Sequence, residues 1–409
     1  MAVHLSCPVI RCAAVGETVQ ITWTRALRTG LITYLASRLL VLLGVGLVAI
    51  ARTQEDARNG LSRIPTSRHI RDVLSTWDGF WYLEIVRNGY PASVPDGVTY
   101  FVPEARAAFF PVFPLITRFA DVVLPGGPAT AGIIVNLILG GLAVVMIGVL
   151  ARTLWDDQVA TTAMVLVALF PGSFVLSMVY SEATMIVLAA GTMIALARHR
   201  WWLAAGLGLL TTATRPNGLA VVLAGLACIW MLRHDRAQRW RAAVATAVMP
   251  LGFIAVIAFI GSTAGERWVW FRVQREAWDE GFSFGWSTVR FVGEWLASPL
   301  GSPTRALTVA SVIVIAIGLT AMWRTRTSPV LGAYTLGVVA LMLSPATVTA
   351  RPRFVLTAFG LIVAAAAWWV HHGPSDPARR RNVELVVIGA SSAGLVAATS
   401  IYGLLGAIP

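Results

Sequence analysis

An all-α, polytopic integral membrane protein is predicted by three properties of the sequence. Of its 409 residues, 57% are hydrophobic and only 13% charged, a balance foreign to soluble domains. Apolar stretches long enough to cross a hydrocarbon core, which takes about 20 helical residues, recur along the chain from residues 31–51 onward. Between these stretches the basic residues, all arginine and none lysine, fall into small groups in every second connection.

Taking the elements in order, Arg25 and Arg28 precede the first span, Arg152 follows the second, and Arg198 with Arg200 follows the fourth. Arg233, Arg236, Arg239 and Arg241 come next, then Arg324 with Arg326, and finally Arg379 to Arg381. The positive-inside rule makes these connections cytoplasmic, and about eleven spans satisfy it, with the N-terminus inside and the C-terminus outside. The formal net charge of +12 is therefore a topology signal, and no nucleic acid is expected as a partner. Residues 1–29 form a cytoplasmic arm, too polar and irregular for a cleaved signal peptide, and residues 30–409 a single transmembrane domain.

Several function classes drop out at this stage. Cys7 and Cys12 fall in the arm and Cys228 inside a span, so no disulfide framework is expected, and no residue cluster has metal-ligand spacing. No phosphate-binding or dinucleotide-binding glycine motif stands at a strand-to-helix turn. Ser391-Ser392-Ala393-Gly394 reads as small-residue helix packing. Neither metal nor cofactor is expected, and the energy for any chemistry must come from an activated substrate.

The remaining connections are then extracytoplasmic, and two are long: 52–129 and 265–304. They hold most of the acidic residues and many aromatics, which puts the site on the outer face of the plasma membrane. In the first, Thr76-Trp77-Asp78-Gly79-Phe80-Trp81-Tyr82 runs on to Asn88-Gly89-Tyr90. The stretch from Ser75 is helix-like, with Trp77, Phe80, Trp81 and Ile85 on one apolar face, predicting an interfacial helix with its rings at headgroup depth. Asp78, at the edge of that face, is either half of a Ser75-x-x-Asp78 capping box or a general base; a helix N-terminus favours the ionised form that both readings need. Glu84, about two helical turns on, is either a second acid of the site or a solvated surface group.

Further along, Ala108-Phe109-Phe110-Pro111-Val112-Phe113-Pro114-Leu115 predicts a kinked or extended entry into the membrane, serving as an aromatic wall for a lipid chain or as an interfacial anchor. Val179-Tyr180-Ser181-Glu182 places a carboxylate at the membrane boundary, where it needs a partner. Arg215, in Arg215-Pro216-Asn217-Gly218, can supply one or can snorkel to the interface, and Pro-Asn-Gly predicts broken helical backbone lining a cavity. Arg351 and Arg353 violate the positive-inside pattern. They either bind a lipid phosphate, which guanidinium does with two oxygens at once, or pair with Glu294 or Asp279. The tryptophans and acids of 265–304 suit either a sugar or the bilayer surface.

In order and spacing, the motifs around Asp78, Pro111, Glu182 and Arg215 resemble those of the PIG-V family of mannosyltransferases, a match that covers roughly residues 75–219. That family belongs to the GT-C glycosyltransferases, which take a sugar, usually mannose, from a polyprenyl- or dolichyl-phosphate carrier. The resemblance implies a GT-C fold, with Asp78 as catalytic base and Glu182, Arg215 and Asn217 as site residues; on the residue patterns described above, Trp77, Trp81, Glu84, Tyr180, Arg351 and Arg353 join them as candidate substrate-binding residues. Pro216 departs from the eukaryotic pattern, which has Ser there, so the acceptor is not carried over. Lysine-free, Ala- and Arg-rich usage is that of a high-GC bacterium, expected to be actinobacterial, where phosphatidylinositol mannosides, lipomannan-type glycolipids or secreted proteins are the acceptors to consider. A polyprenyl-phosphate or glycolipid flippase would need the same cavity and arginines but no base.

Overall fold

The computed structural model of the protein describes residues 16–60, 64–299, 301–346 and 351–404. Cys7 and Cys12 lie outside the described residues. The chain opens with a single helix, α1 (Gly16–Arg58), of 43 residues. At 1.5 Å per residue this is about 65 Å, twice the hydrocarbon thickness. Two short helices follow, α2 (Thr66–Leu74) and α3 (Asp78–Asn88), then a 3₁₀ turn at Pro103–Ala108 and the amphipathic α4 (Val112–Val123). Pro114 stands in the first turn of α4, where its missing N–H costs nothing, so the regular helix begins earlier than the two prolines suggest.

Next come α5 (Gly127–Leu154) and α6 (Asp157–Leu169), the latter capped by the Asp156 carboxylate, which accepts from the Gln158 and Val159 N–H groups. After α6 the chain bends by 77° into a buried 3₁₀ turn, Pro171–Ser177. Four shorter helices and a break follow: α7 (Glu182–Ala197), α8 (Trp201–Thr212), the 3₁₀ turn Pro216–Leu219, α9 (Ala220–Met231) and α10 (Arg236–Val248). The rest is α11 (Leu251–Thr263), α12 (Val269–Trp278), α13 (Trp286–Ala297), α14 (Pro303–Arg324), α15 (Pro329–Leu343), α16 (Pro352–Thr357), α17 (Gly360–His372) and α18 (Pro377–Gly403). Among the described residues there is no strand, only an isolated bridge between Phe282 and Pro345.

Five of these helical stretches are long and apolar enough to cross a membrane, six with the bent α6 pair, and four shorter apolar helices pack among them. The protein is thus a multi-pass, all-helical membrane protein. Small residues carry the close packing, as expected where lipid offers no hydrophobic contrast. Gly30 and Gly148 both lie against Met164, Gly44 faces Thr399, and Gly394 of the Ser-Ser-Ala-Gly run meets Pro171.

One buried charge organises the centre. Arg38, 4% exposed in the middle of α1, donates to the Ser173 carbonyl at 2.7 Å, Ser173 Oγ at 2.9 Å, Ser177 Oγ at 3.1 Å and the Ala168 carbonyl at 3.3 Å. A 3₁₀ turn exposes carbonyls that a continuous helix would use internally, and the guanidinium fork collects them. The turn is thereby held inside the bundle as a shelf, and the candidate site is built on it.

Candidate active site

Three consecutive residues just beyond the shelf, Tyr180, Ser181 and Glu182, each serve a different partner. The Tyr180 hydroxyl accepts the Asp78 backbone N–H at 3.2 Å, and its ring lies beneath the Arg353 guanidinium, 5.4 Å from the ring centre. The Ser181 hydroxyl meets the Tyr82 hydroxyl at 2.6 Å and accepts from Arg215 at 3.0 Å. Glu182, fully buried at the start of α7, forms an ion pair with Arg215 at 2.9 Å. Of the two sequence readings of Arg215, pairing describes the structure and snorkelling does not.

Asp78 opens α3 as its first residue. Its Oδ2 accepts from Arg353 at 2.7 Å, the distance of a charge-assisted bond, and both side chains are largely buried. Arg353 therefore pairs with Asp78, and neither Glu294 nor Asp279 is its partner; Glu294 is taken by Arg305 at 2.9 Å. The capping-box reading is also corrected. The Ser75 hydroxyl donates to the Arg71 carbonyl, and the N-cap position is Trp77, with no side-chain cap.

Arg353 is placed by backbone contact. Gly172 of the shelf packs so tightly on α16 that a Cβ there would overlap the Pro352 carbonyl and come within 2.9 Å of the Arg353 amide nitrogen. Gly172→Ala is expected to cost about 1–3 kcal/mol through overpacking, seen as a lower thermal unfolding temperature in detergent; an unchanged temperature would show that α16 yields freely. Arg351, at the N-cap of α16, stands beside this pair. The Nε groups of Arg351 and Arg353 and Oδ1 of Asn217 are buried without a hydrogen-bond partner among the described residues. Asn217 is tied into the same region by its Nδ2, which donates to Thr357 at 3.3 Å, and the Pro216–Leu219 break that carries it interrupts the helical run from α8 to α9.

The aromatic face of α3 packs largely on protein. Trp81 is buried and sits among Tyr100, Phe109 and Trp278, with ring centres 5.5 to 6.4 Å away, while Trp77 donates its indole N–H to the Tyr402 carbonyl; only Phe80 is exposed. Tyr rings, Trp rings and α3 pack on protein because the two long connections fold onto each other. Glu84 turns to its own helix, accepting from Asn88 at 2.8 Å and pairing with Arg87 at 3.5 Å, and is not brought to Asp78. Gly89, with φ of 67°, takes the left-handed conformation that lets its carbonyl accept from Arg106 at 2.8 Å, and the Tyr90 hydroxyl reaches the Phe109 carbonyl at 2.7 Å. These contacts join the Asn88-Gly89-Tyr90 motif to the Phe-Pro motif.

Tyr82, Ser181, Tyr100, Trp278 and Arg38 are site or supporting residues that the sequence reading did not single out as such. Tyr100 lies within electrostatic reach of Asp78 and Arg353, and burial raises its phenol above the usual range, so it carries its proton at neutral pH. The second connection is clamped to the first by Arg272, which pairs with Glu266 at 2.5 Å and Glu276 at 3.1 Å and donates to the Val94 and Pro95 carbonyls. Hydrogen bonding from Arg272 holds the Glu266 carboxyl below its ordinary range. With a depressed folded value, the contribution is present above the unfolded pKa of about 4.3 and is lost as pH falls through the folded one. Proteolysis within the two connections is expected to be constant from neutral pH to about pH 5 and to rise below about pH 4; a rise already at pH 6 would contradict the clamp.

The helical arrangement has counterparts in fold among solved membrane proteins. The chain is similar in structure to the Archaeoglobus fulgidus oligosaccharyltransferase in complex with Zn and sulfate, with 14% identity and a TM-score of 0.50 over 88% of this chain and 53% of that one. It is also similar to ArnT from Cupriavidus metallidurans bound to undecaprenyl phosphate, with 12% identity and a TM-score of 0.48 over 80% of this chain and 70% of that one. The archaeal protein in complex with an inhibitory peptide and a dolichol-phosphate gives 12% identity and a TM-score of 0.47. The chain spans just over half the length of the archaeal transferase, 56% of its apo form. No family profile and no curated protein matches it in sequence.

Proposed function

We propose that the protein is a membrane glycosyltransferase, PIG-V-like, that moves mannose from polyprenyl-phosphate mannose to a glycolipid or protein acceptor, on the outer face of the plasma membrane in an eleven-pass topology. The observation that carries this reading is an acid beside two arginines: Asp78 bonded to Arg353 at 2.7 Å, with Arg351 adjacent and both Nε groups lacking hydrogen-bond partners among the described residues. A base for a hydroxyl and a cationic seat for a phosphate are the two groups that such a transfer needs on the protein side.

Arg353 engages one oxygen of Asp78 and so orients the carboxylate; the acceptor hydroxyl gives its proton to Asp78 as its oxygen attacks the anomeric carbon. The bond from that carbon to the carrier phosphate breaks, the electron pair stays on phosphate, and the sugar carbon inverts. Arg351, Arg353 and Arg215 meet the charge growing on the leaving group, and Asn217 offers its unpartnered carbonyl oxygen to a sugar hydroxyl. The guanidinium groups can neutralise a single phosphate, so this scheme calls for no metal. An apolar groove of about 530 Å³ between α1 and α5, lined by Leu35, Leu39, Ile133, Leu137 and Leu74, offers room for part of an isoprenoid chain.

The reading is tested by supplying radiolabelled polyprenyl-phosphate mannose to membranes that contain or lack the protein, with total lipids as the acceptor pool. A labelled glycolipid made only in the presence of the protein is the expected result and identifies the acceptor. Label that crosses the membrane on unchanged carrier would instead favour the flippase.

A further inference from the structure

The turn that presents Asp78 is held in an unfavourable backbone conformation, and the end of the last described helix grips it. Trp77 has φ of 56° and ψ of −123°, the angles of the first central residue of a type II′ turn, a position that suits glycine and not a bulky side chain. The Gly79 N–H closes this turn on the Thr76 carbonyl at 3.1 Å. Left to itself, a tryptophan here favours negative φ, which would swing the start of α3 and the Asp78 carboxylate with it.

Tyr402, fully buried in the final turn of α18, opposes that relaxation with two bonds in opposite directions. Its hydroxyl donates to the Thr76 carbonyl at 2.8 Å, and its backbone carbonyl accepts the Trp77 indole N–H at 3.2 Å. The carbonyl is available because the last turn of a helix leaves its acceptors without partners inside the helix. The grip is itself anchored: Arg52 of α1 donates to the Gly403 carbonyl at 2.5 Å, and the Tyr402 ring packs on Phe174 of the shelf, 5.2 Å between centres.

We infer that Tyr402 is a positioning residue for the base Asp78, locking the strained Thr76-Trp77 turn from a helix more than 300 residues away in sequence. This inference rests on the transferase reading for its kinetic consequence but not for the clamp itself. The hydroxyl acts on the geometry of the base, not on either substrate.

The test uses the full-length protein in detergent and compares wild type, Tyr402→Phe, Trp77→Gly and the double variant. Tyr402→Phe is expected to lower kcat about tenfold while KM for the labelled donor stays within about twofold, since a displaced base loses transition-state but not ground-state contacts. In the Trp77→Gly background, where glycine takes φ of 56° without strain, the same replacement is expected to cost about twofold or less. Equal losses in both backgrounds, or a rise in KM that accounts for the whole effect, would overturn the inference in favour of general loss of packing. Backbone hydrogen exchange over residues 75–82 reads the clamp with no substrate at all: faster exchange in Tyr402→Phe supports it, and identical exchange defeats it. Should the wild type transfer no sugar, the transferase reading fails while the exchange measurement still decides the clamp.

Discussion

Asp78→Asn is expected to reduce sugar transfer by about 10²-fold or more, the range over which a positioned general base contributes. Asparagine keeps the shape of the side chain and still offers an oxygen to Arg353, so the 2.7 Å contact can persist without the charge. What it removes is the ability to take a proton from the acceptor hydroxyl. Binding of the labelled donor should therefore survive, and the loss should fall on kcat with KM little changed. Equal transfer by wild type and variant would remove Asp78 as the base. Transport of carrier lipid, if the protein performs it, needs no base and should proceed undiminished in the same variant.

Arg353→Met is the second large effect, and it acts on stability and chemistry together. Removing one member of a buried ion pair leaves the other uncompensated, a loss of about 3–5 kcal/mol. Transfer should fall by about 10²- to 10³-fold, because a donor aimed at the developing phosphate charge is lost along with the orientation of Asp78. Combining it with Asp78→Asn separates the two effects. The double variant should recover much of the unfolding temperature, since neither member of the pair is left facing a missing partner, and should recover none of the transfer. Recovery of both would show that the pair is structural and that the chemistry lies elsewhere.

The sequence is most readable where chemistry conflicts with its surroundings. Glu182 inside an apolar run demands a partner, and Arg215 at a helix break is the group within reach. Arginines 351 and 353 break the charge pattern that the sequence predicts for their connection, and they stand in the candidate site. What does not show is pairing across distance: Asp78 and Arg353 are 275 residues apart, and nothing local distinguishes Arg353 from a group that pairs with Glu294 or Asp279. The capping-box pattern at Ser75 misleads because the chain makes a sharp turn at Trp77 and starts its helix at the next residue, Asp78. The aromatic periodicity of α3 is real, but periodicity cannot tell lipid from a second connection folded over the same face. Arg38 and Tyr402 are hidden inside runs that satisfy every criterion for an ordinary span, and only the partners supplied by distant elements give them meaning.

The fan of bonds from Arg38 to the shelf also bears on how the protein is made. On an isolated α1, a guanidinium in the middle of the span disfavours insertion by roughly 2.5–3.5 kcal/mol, and its acceptors, the Ala168 and Ser173 carbonyls and the Ser177 hydroxyl, are synthesised about 130 residues later. The first helix is thus an incomplete membrane segment at birth. It reaches its resting state only after the α6 hairpin has been delivered to it, so nascent chains truncated before Ser177 should be retained beside the insertion machinery while chains extending past it are released into the bilayer.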